Sequence, residues 1–268
     1  MDHYKQAIHD FWNAASCGES LYLRGSESSA YEAQAAKRYE LEPYIQRFAD
    51  FAGARGRDVL EIGVGLGADH QCFAAAGARL TGVDLTDRAV AHTRQRLAAL
   101  GLQSSLQTAD AEELPFDDAS FDVVYSWGVL HHSPNTAKAV DEVWRVLRPG
   151  GTARIMIYHT HSIVGYMLWL RYALLAGRPG LSLADIYAQY LESPGTKAYT
   201  VGQAQTLFSR FRQVEIETVL THGDLLTSDA GQRHRGPLLT IAKALWPRRL
   251  IRTFLPHDGL YLLARATK

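Results

Sequence analysis

The sequence predicts an α/β fold, a largely parallel sheet with helices on both faces. Three observations predict it. Short apolar runs alternate with segments of helical spacing along most of the 268 residues. The first of these runs ends in a turn with glycine at every second position, Gly63, Gly65 and Gly67, and a helix follows. The composition, 47% hydrophobic and 21% charged, is that of an ordinary soluble globular chain, long enough for one large domain or one domain with a substantial insertion.

The elements follow in order. "RDVLEI" (57–62) is a buried-type strand, and "DHQCFAAAGA" (69–78) a helix closed by glycine. "RLTGVDL" (79–85) is the second strand. Thr86 suits the N-cap of "DRAVAHTRQRLAAL", which stops at Gly101. "SSLQTAD" (104–110) is a weaker strand and "FDVVYSW" (121–127) a strong one. "TAKAVDEVWRVL" (136–147) is a helix ended by "RPGG", and "TARIMIYH" (152–159) the fifth strand. The alternation then breaks over 160–199. It resumes at Thr200, whose spacing to Gln203 is that of a capping box, with a helix and the strand "VEIETVL" (214–220). Residues 222–258 form a second interruption before the last strand, "GLYLLARA" (259–266). Ahead of the sheet, residues 31–52 read as one helix.

Several functions are excluded or disfavoured early. Lys plus Arg equal Asp plus Glu at 28 each, and no basic stripe points to nucleic acid. Cys17 and Cys72 are the only cysteines. They can build neither a four-cysteine zinc site nor a disulfide framework, and they fit a reduced, cytoplasmic protein. The N-terminus has no signal-peptide pattern. The most apolar stretch, 163–177, is shorter than the ~20 residues of a membrane span and contains Arg171, so it reads as a packed helix.

The glycine turn lets backbone approach a ligand at a helix N-terminus. Its spacing, G-x-G-x-G, differs from the G-x-G-x-x-G of a dinucleotide fold. Glu61, just before it, is awkward beside a pyrophosphate and useful beside a cationic group. Asp84, closing "TGVD", can accept from two ribose hydroxyls. Asp110, in "TADAEELPF", can accept from an adenine amino group while the next backbone N–H meets a ring nitrogen.

Together "VLEIGVGLG", "GVDLT", "DAEELPF", "FDVVYSWGVLHH" and "RVLRPGG" resemble the class I S-adenosylmethionine-dependent methyltransferases, in particular the broad small-molecule group called type 11. The resemblance covers about residues 55–160. It implies a Rossmann-like seven-stranded mixed sheet, the last strand antiparallel between the fifth and sixth, with an inserted lid. It implies a cofactor site at Glu61, Gly63, Gly65, Gly67, Asp84, Leu85, Asp110 and Ala111, with Ser126 and Trp127 beside the sulfonium. Residues 1–54 are then an N-terminal helical lid segment. Residues 55–268 are the methyltransferase domain, with lid insertions at 160–199 and 222–258.

The expected activity is methyl transfer to oxygen or nitrogen of a small-molecule acceptor. The alternatives are a C-methyltransferase on a quinone- or lipid-like acceptor, a nicotinamide oxidoreductase, and a non-catalytic cofactor-binding scaffold. Open sheets bind ligands beyond the carboxyl ends of their strands, so both interruptions and the N-terminal segment should close over the site. The candidate catalytic residues are His131 and His132 after the fourth strand, Tyr158 and His159 after the fifth, and His222 (with Asp224) after the sixth. Lys197 and Tyr199 sit in an ordered turn. Phe11, Trp12, Tyr22, Tyr166, Trp169, Tyr187, Tyr190 and Tyr199 are candidate lid aromatics. No histidine pair has metal-ligand spacing with a third ligand nearby, so no metal is expected. The segment 237–257 mixes apolar residues with Lys243, Arg248, Arg249 and Arg252. It is either a membrane-touching surface or, the preferred reading, a helix pair packed on the lid.

Overall fold

The computed structural model describes residues 3–228 and 243–268. Its centre is one seven-stranded sheet: β1 (Asp58–Ile62), β2 (Arg79–Asp84), β3 (Ser105–Thr108), β4 (Phe121–Trp127), β5 (Leu147–Tyr158), β6 (Gln213–Val219) and β7 (Tyr261–Thr267). The order is β3-β2-β1-β4-β5-β7-β6. Strands β1 to β5 pair in parallel, and β7 runs antiparallel to both neighbours.

The central strands are apolar at consecutive positions because both sheet faces are covered. Leu60, Val124, Ile155 and Leu262 enter one core. Their neighbours Val59, Tyr125, Met156 and Leu263 enter the other. The N-terminal segment carries α1 (His3–Ala14), α2 (Glu19–Tyr22), α3 (Ser28–Leu41) and α4 (Tyr44–Ala49). The β1–β5 part of the sheet carries α5 (Ala68–Ala75), α6 (Asp87–Ala99) and α7 (Thr136–Val146). The first insertion holds α8 (Ile163–Trp169), which runs on as a π-helical turn over Leu170–Leu174, and α9 (Leu183–Ile186). α10 (Val201–Leu207) leads into β6. Thr86 and Thr200 cap their helices as expected, the latter in a full capping box.

Three expectations change. The helix expected over 31–52 is broken into α3, α4 and a 3-10 turn at Phe51–Ala54. Pro43 pushes Glu42 out of helical conformation, to φ −129° and ψ 61°. Strand β5 begins at Leu147, five residues early. "RPGG" is absorbed into the strand through an irregularity against β4. In 237–257, Trp246 and Ile251 pack inward, but Leu245, Leu250, Phe254 and Leu255 are exposed. Residues 237–242 of that segment lie outside the described residues.

One buried cation fastens the N-terminal segment to the glycine turn. Arg96 of α6 is fully buried. Its guanidinium donates to the Tyr31 carbonyl (2.6 Å) and Gln34 Oε1 (2.8 Å) of α3, to the Leu66 carbonyl (2.7 Å) and to Gln71 Oε1 (2.6 Å). Burial lowers its pKa to about 10. Asp224, also fully buried, fastens the insertions. Its carboxylate accepts from the backbone N–H groups of Thr221, Val164 and Leu260, where β6 ends, α8 begins and β7 begins.

Candidate active site

A cavity of about 760 Å³ opens at the carboxyl ends of the parallel strands. It is in the range of roughly 300–1,000 Å³ typical of ligand sites. Its walls come from the glycine turn, α1, α3, α8, the ends of β2, β4 and β5, and the starts of the second insertion and β7. Residues of the N-terminal segment and of both insertions therefore line it.

The glycines serve different needs. Gly63, Gly65 and Gly67 all have positive φ. A side chain at Gly63 would place its Cβ 2.0 Å from Val129 Cγ2. At Gly65 it would meet nothing within 4 Å, so this glycine leaves room in the cavity. Asp84 Oδ2 accepts from the Gly65 N–H (3.2 Å), and Oδ1 accepts from the Thr86 N–H and hydroxyl (2.9 Å each). Burial raises the Asp84 pKa, and these hydrogen bonds oppose the rise.

Glu61 is buried and paired with His70 Nδ1 at 2.8 Å, while His70 Nε2 meets Ser104 Oγ at 2.7 Å. Burial pushes Glu61 well up and His70 down to about 3. Burial thus favours the uncharged form of both side chains. A cation bound at Glu61 would restore its carboxylate. Asp110 Oδ1 accepts from the Glu112 N–H (2.9 Å), and Oδ2 holds Lys5 of α1 at 2.5 Å. Lys5 also reaches Glu112 at 3.0 Å. Arg38 of α3, on the cavity wall, binds Asp69 through two nitrogens (3.1 and 2.8 Å) and Glu42 at 3.2 Å.

At the opposite side, His132 and Tyr158 face one carboxylate. Tyr158 donates to Glu192 Oε2 at 2.7 Å, and His132 Nε2 lies 3.4 Å from the same oxygen. His132 Nδ1 meets Ser193 Oγ (2.9 Å) and Thr196 Oγ1 (3.1 Å). Burial, then Glu192, raises the Tyr158 pKa well above its usual value.

The cavity brings together Glu61, Gly63, Gly65, Gly67, Asp84, Leu85, Asp110, Ala111, Trp127, His132, Tyr158 and His222 of the expected residues. Three expectations are corrected. Ser126 is fully buried off the cavity, its hydroxyl spent on the Ile62 carbonyl at 2.9 Å. His131 packs inward against His132 and Tyr158, with ring centroids at 4.2 and 4.1 Å. His159 turns to the Gly259 carbonyl. Lys197 donates to the Ser133 carbonyl at 2.6 Å. Of the lid aromatics, Phe11, Trp12 and Tyr22 line the cavity, whereas Tyr166, Trp169, Tyr187, Tyr190 and Tyr199 do not.

The sequence reading missed Lys5, Arg38, Asp69, His70 and Glu192. Asp69 and His70 had a signal, since they open α5 directly after the glycine turn. The others arrive from distant segments. Glu192 also completes a group that the sequence hides. The ligand atoms of His131, His132 and Glu192 lie within 4.8 Å of one another. Tetrahedral zinc, with bonds of about 2.0–2.1 Å, needs ligands roughly 3.4 Å apart, so no metal role is assigned to them.

His131 yields a test of its own. Both ring nitrogens are buried without a hydrogen-bond partner, and burial, then His132 and Lys197, holds its pKa well below 6.5. The unfolded chain then binds the extra proton. Stability contributed here is full above pH 6.5 and falls as pH drops, by up to about 1.4 kcal/mol per unit. His131→Phe should flatten that acid-side loss. Urea melts of both proteins at neutral and mildly acidic pH measure the difference, and parallel losses would refute it. The comparison cancels the opposite contribution of Glu61.

This sheet order is that of the Rossmann-like fold found in class I S-adenosylmethionine-dependent methyltransferases. Residues 60–155, about a third of the chain, match the family described as "Methyltransferase domain". A probable S-adenosylmethionine-dependent methyltransferase of Mycolicibacterium smegmatis is 41% identical over 96 residues, 36% of each chain. A ubiquinone biosynthesis O-methyltransferase of Aromatoleum aromaticum is 39% identical over 101 residues, 37% of this chain and 43% of the relative. The chain thus spans less than half the length of either. The solved structure of a Haemonchus contortus phosphoethanolamine N-methyltransferase, in complex with phosphomonomethylethanolamine and S-adenosylhomocysteine, shares the fold. Its TM-score is 0.60 at 18% identity, over 97% of this chain and 60% of that one. The nicotinamide alternative loses its ground, since the glycine turn lies inside the matched residues.

Proposed function

We propose that this protein transfers a methyl group from S-adenosylmethionine to an oxygen or nitrogen of a small, largely apolar acceptor. One observation carries the reading. The glycine turn, Asp84 and Asp110 meet the His132–Glu192–Tyr158 cluster around a single cavity. The residues fit the cofactor. Gly65 leaves room, Glu61 offers a carboxyl for an ammonium group, Asp84 suits a ribose diol and Asp110 an adenine amino group. S-adenosylmethionine supplies a methyl carbon already activated on a sulfonium.

The protein's own work is then placement, dryness and, for a protonated acceptor, proton removal. In this reading that proton goes to His132 Nε2, supported by Glu192 Oε2 lying 3.4 Å away, where it would stabilise an imidazolium. Trp12, packed edge-on to His132 at 5.2 Å, helps exclude water. Ile8, Phe11, Met167, Leu168, Leu226 and Leu260 make much of the wall apolar. That wall keeps the second reading in view, C-methylation of a quinone- or lipid-like acceptor. The reduced, cytoplasmic setting expected from Cys17 and Cys72 belongs to the same proposal.

The experiment is calorimetric titration with S-adenosylhomocysteine, with NADH as control. Micromolar binding of the first and none of the second is expected. Selective NADH binding would overturn the reading. His132→Gln should keep the S-adenosylhomocysteine affinity and lose turnover of whichever acceptor a screen with the parent protein returns. Unchanged turnover would remove the proton-acceptor role.

A further inference from the structure

We propose that the outer faces of α8 and of the helix Arg248–Phe254 form one docking surface for an anionic lipid bilayer. The two segments are neighbours: Ile163 and Met167 of α8 pack with Trp246 and Ile251. Among the described residues, nothing comparable packs on their outer sides. Tyr166, Leu170 and Leu174 follow one another at four-residue spacing and are each about half exposed. Leu250 and Phe254 repeat that spacing on the second helix. Leu175, Leu245 and Phe254 are 73%, 78% and 73% exposed. Single exposed leucines are ordinary, whereas two adjacent helices each presenting an apolar stripe are not.

Charge selects the occupant. The chain as a whole is balanced, at 28 basic and 28 acidic residues. Residues 160–182 nevertheless hold Arg171 and Arg178 and no acid. Residues 243–257 hold Lys243, Arg248, Arg249 and Arg252 and no acid. Arg248 is spent on the carbonyls of Leu225, Leu226 and Lys243, but Arg249 and Arg252 are exposed beside Leu250 and Phe254. Exposed apolar side chains flanked by cations, with no acid among them, match the acyl boundary and anionic headgroups of a bilayer surface. The surface lies on it and does not cross it: no described helix is long and apolar enough to span.

Position relative to the cavity gives the docking a use. Met167 and Leu168 of α8, and Arg171 in the turn that follows, line the cavity. Arg171 both lines the cavity and is exposed, and the proposed entrance to the cavity lies beside it. Docking sets this opening at headgroup level, where an apolar acceptor enters without crossing water. The surface itself does not depend on the methyl-transfer reading.

The test is flotation of the full chain with vesicles of phosphatidylcholine alone and of phosphatidylcholine with roughly one-third phosphatidylglycerol. The expected result is binding to the anionic vesicles only, weakening as salt rises. Leu170→Glu with Leu174→Glu, and separately Leu250→Glu with Phe254→Glu, should each weaken it about tenfold or more. Arg249→Glu with Arg252→Glu should do the same without touching any packed side chain. Calorimetry on the same preparations should show unchanged S-adenosylhomocysteine affinity, so failure here is distinct from failure of the cofactor reading. The proposal is overturned by the absence of a bound fraction, by equal binding to neutral vesicles, or by binding that all three pairs leave intact. It is also overturned if light scattering shows a dimer that these pairs split, since a second copy then covers the patch.

Discussion

Asp84→Ala is expected to weaken S-adenosylhomocysteine binding about 100-fold or more. A carboxylate accepting from two ribose hydroxyls makes two charge-assisted hydrogen bonds, each worth roughly 1.5–3 kcal/mol, and the substitution removes both. It also removes the acceptor for the Gly65 N–H and for the Thr86 N–H and hydroxyl, so the glycine turn loses its brace. Asp84→Asn keeps a carbonyl for part of that brace and loses the charge, and should cost about tenfold. Titration calorimetry measures both, and circular dichroism checks that each variant folds. Wild-type affinity in Asp84→Ala would move the ribose elsewhere. A scaffold with no cofactor would show no binding to lose.

The second large effect is on stability. Arg96→Met should destabilise the protein by about 3 kcal/mol. Met fills similar space, but the buried carbonyls of Tyr31 and Leu66 are left without their donor, at roughly 1–3 kcal/mol each. Gln34 and Gln71 lose a partner too. Relief of the guanidinium's own desolvation, the cause of its lowered pKa, offsets part of the loss. Urea denaturation reads the change directly. Because Arg96 ties α3 to Leu66 of the glycine turn, cofactor affinity should fall with it. A variant as stable as the parent would show that the N-terminal segment is held by other contacts.

The sheet was legible because its strands obey a local rule. Runs such as "FDVVYSW" are apolar at successive positions, and both faces of that strand are in fact covered. The cofactor side was legible for a related reason. Glu61, Asp84 and Asp110 stand at or beside strand ends, where sequence position fixes spatial position. The acceptor side was not. His131 and His132 are adjacent in sequence, yet only His132 lines the cavity, and its partner Glu192 arrives from 60 residues away through the first insertion. Lys5 reaches Asp110 across 105 residues. Nothing periodic or local encodes such meetings. They depend on how the insertions and the N-terminal helices dock, a matter of tertiary packing.

The second insertion interrupts the link between β6 and β7, whose strands pair directly over seven positions. Roughly 40 residues therefore stand where a hairpin turn would suffice. Loop-closure entropy grows only with the logarithm of length, so growth from about five residues costs on the order of 2 kcal/mol. Asp224 gathers the insertion's first turn, the start of α8 and the start of β7 at one carboxylate. Among the described residues beyond that clasp, 225–228 and 243–258 take no part in the strand pairing, although Trp246 and Ile251 pack with Ile163 and Leu225. Strand pairing therefore does not fix the length of this segment. A linker of different length between Ser228 and Lys243 would leave the strand pairing, the Asp224 clasp and the Trp246 and Ile251 contacts in place.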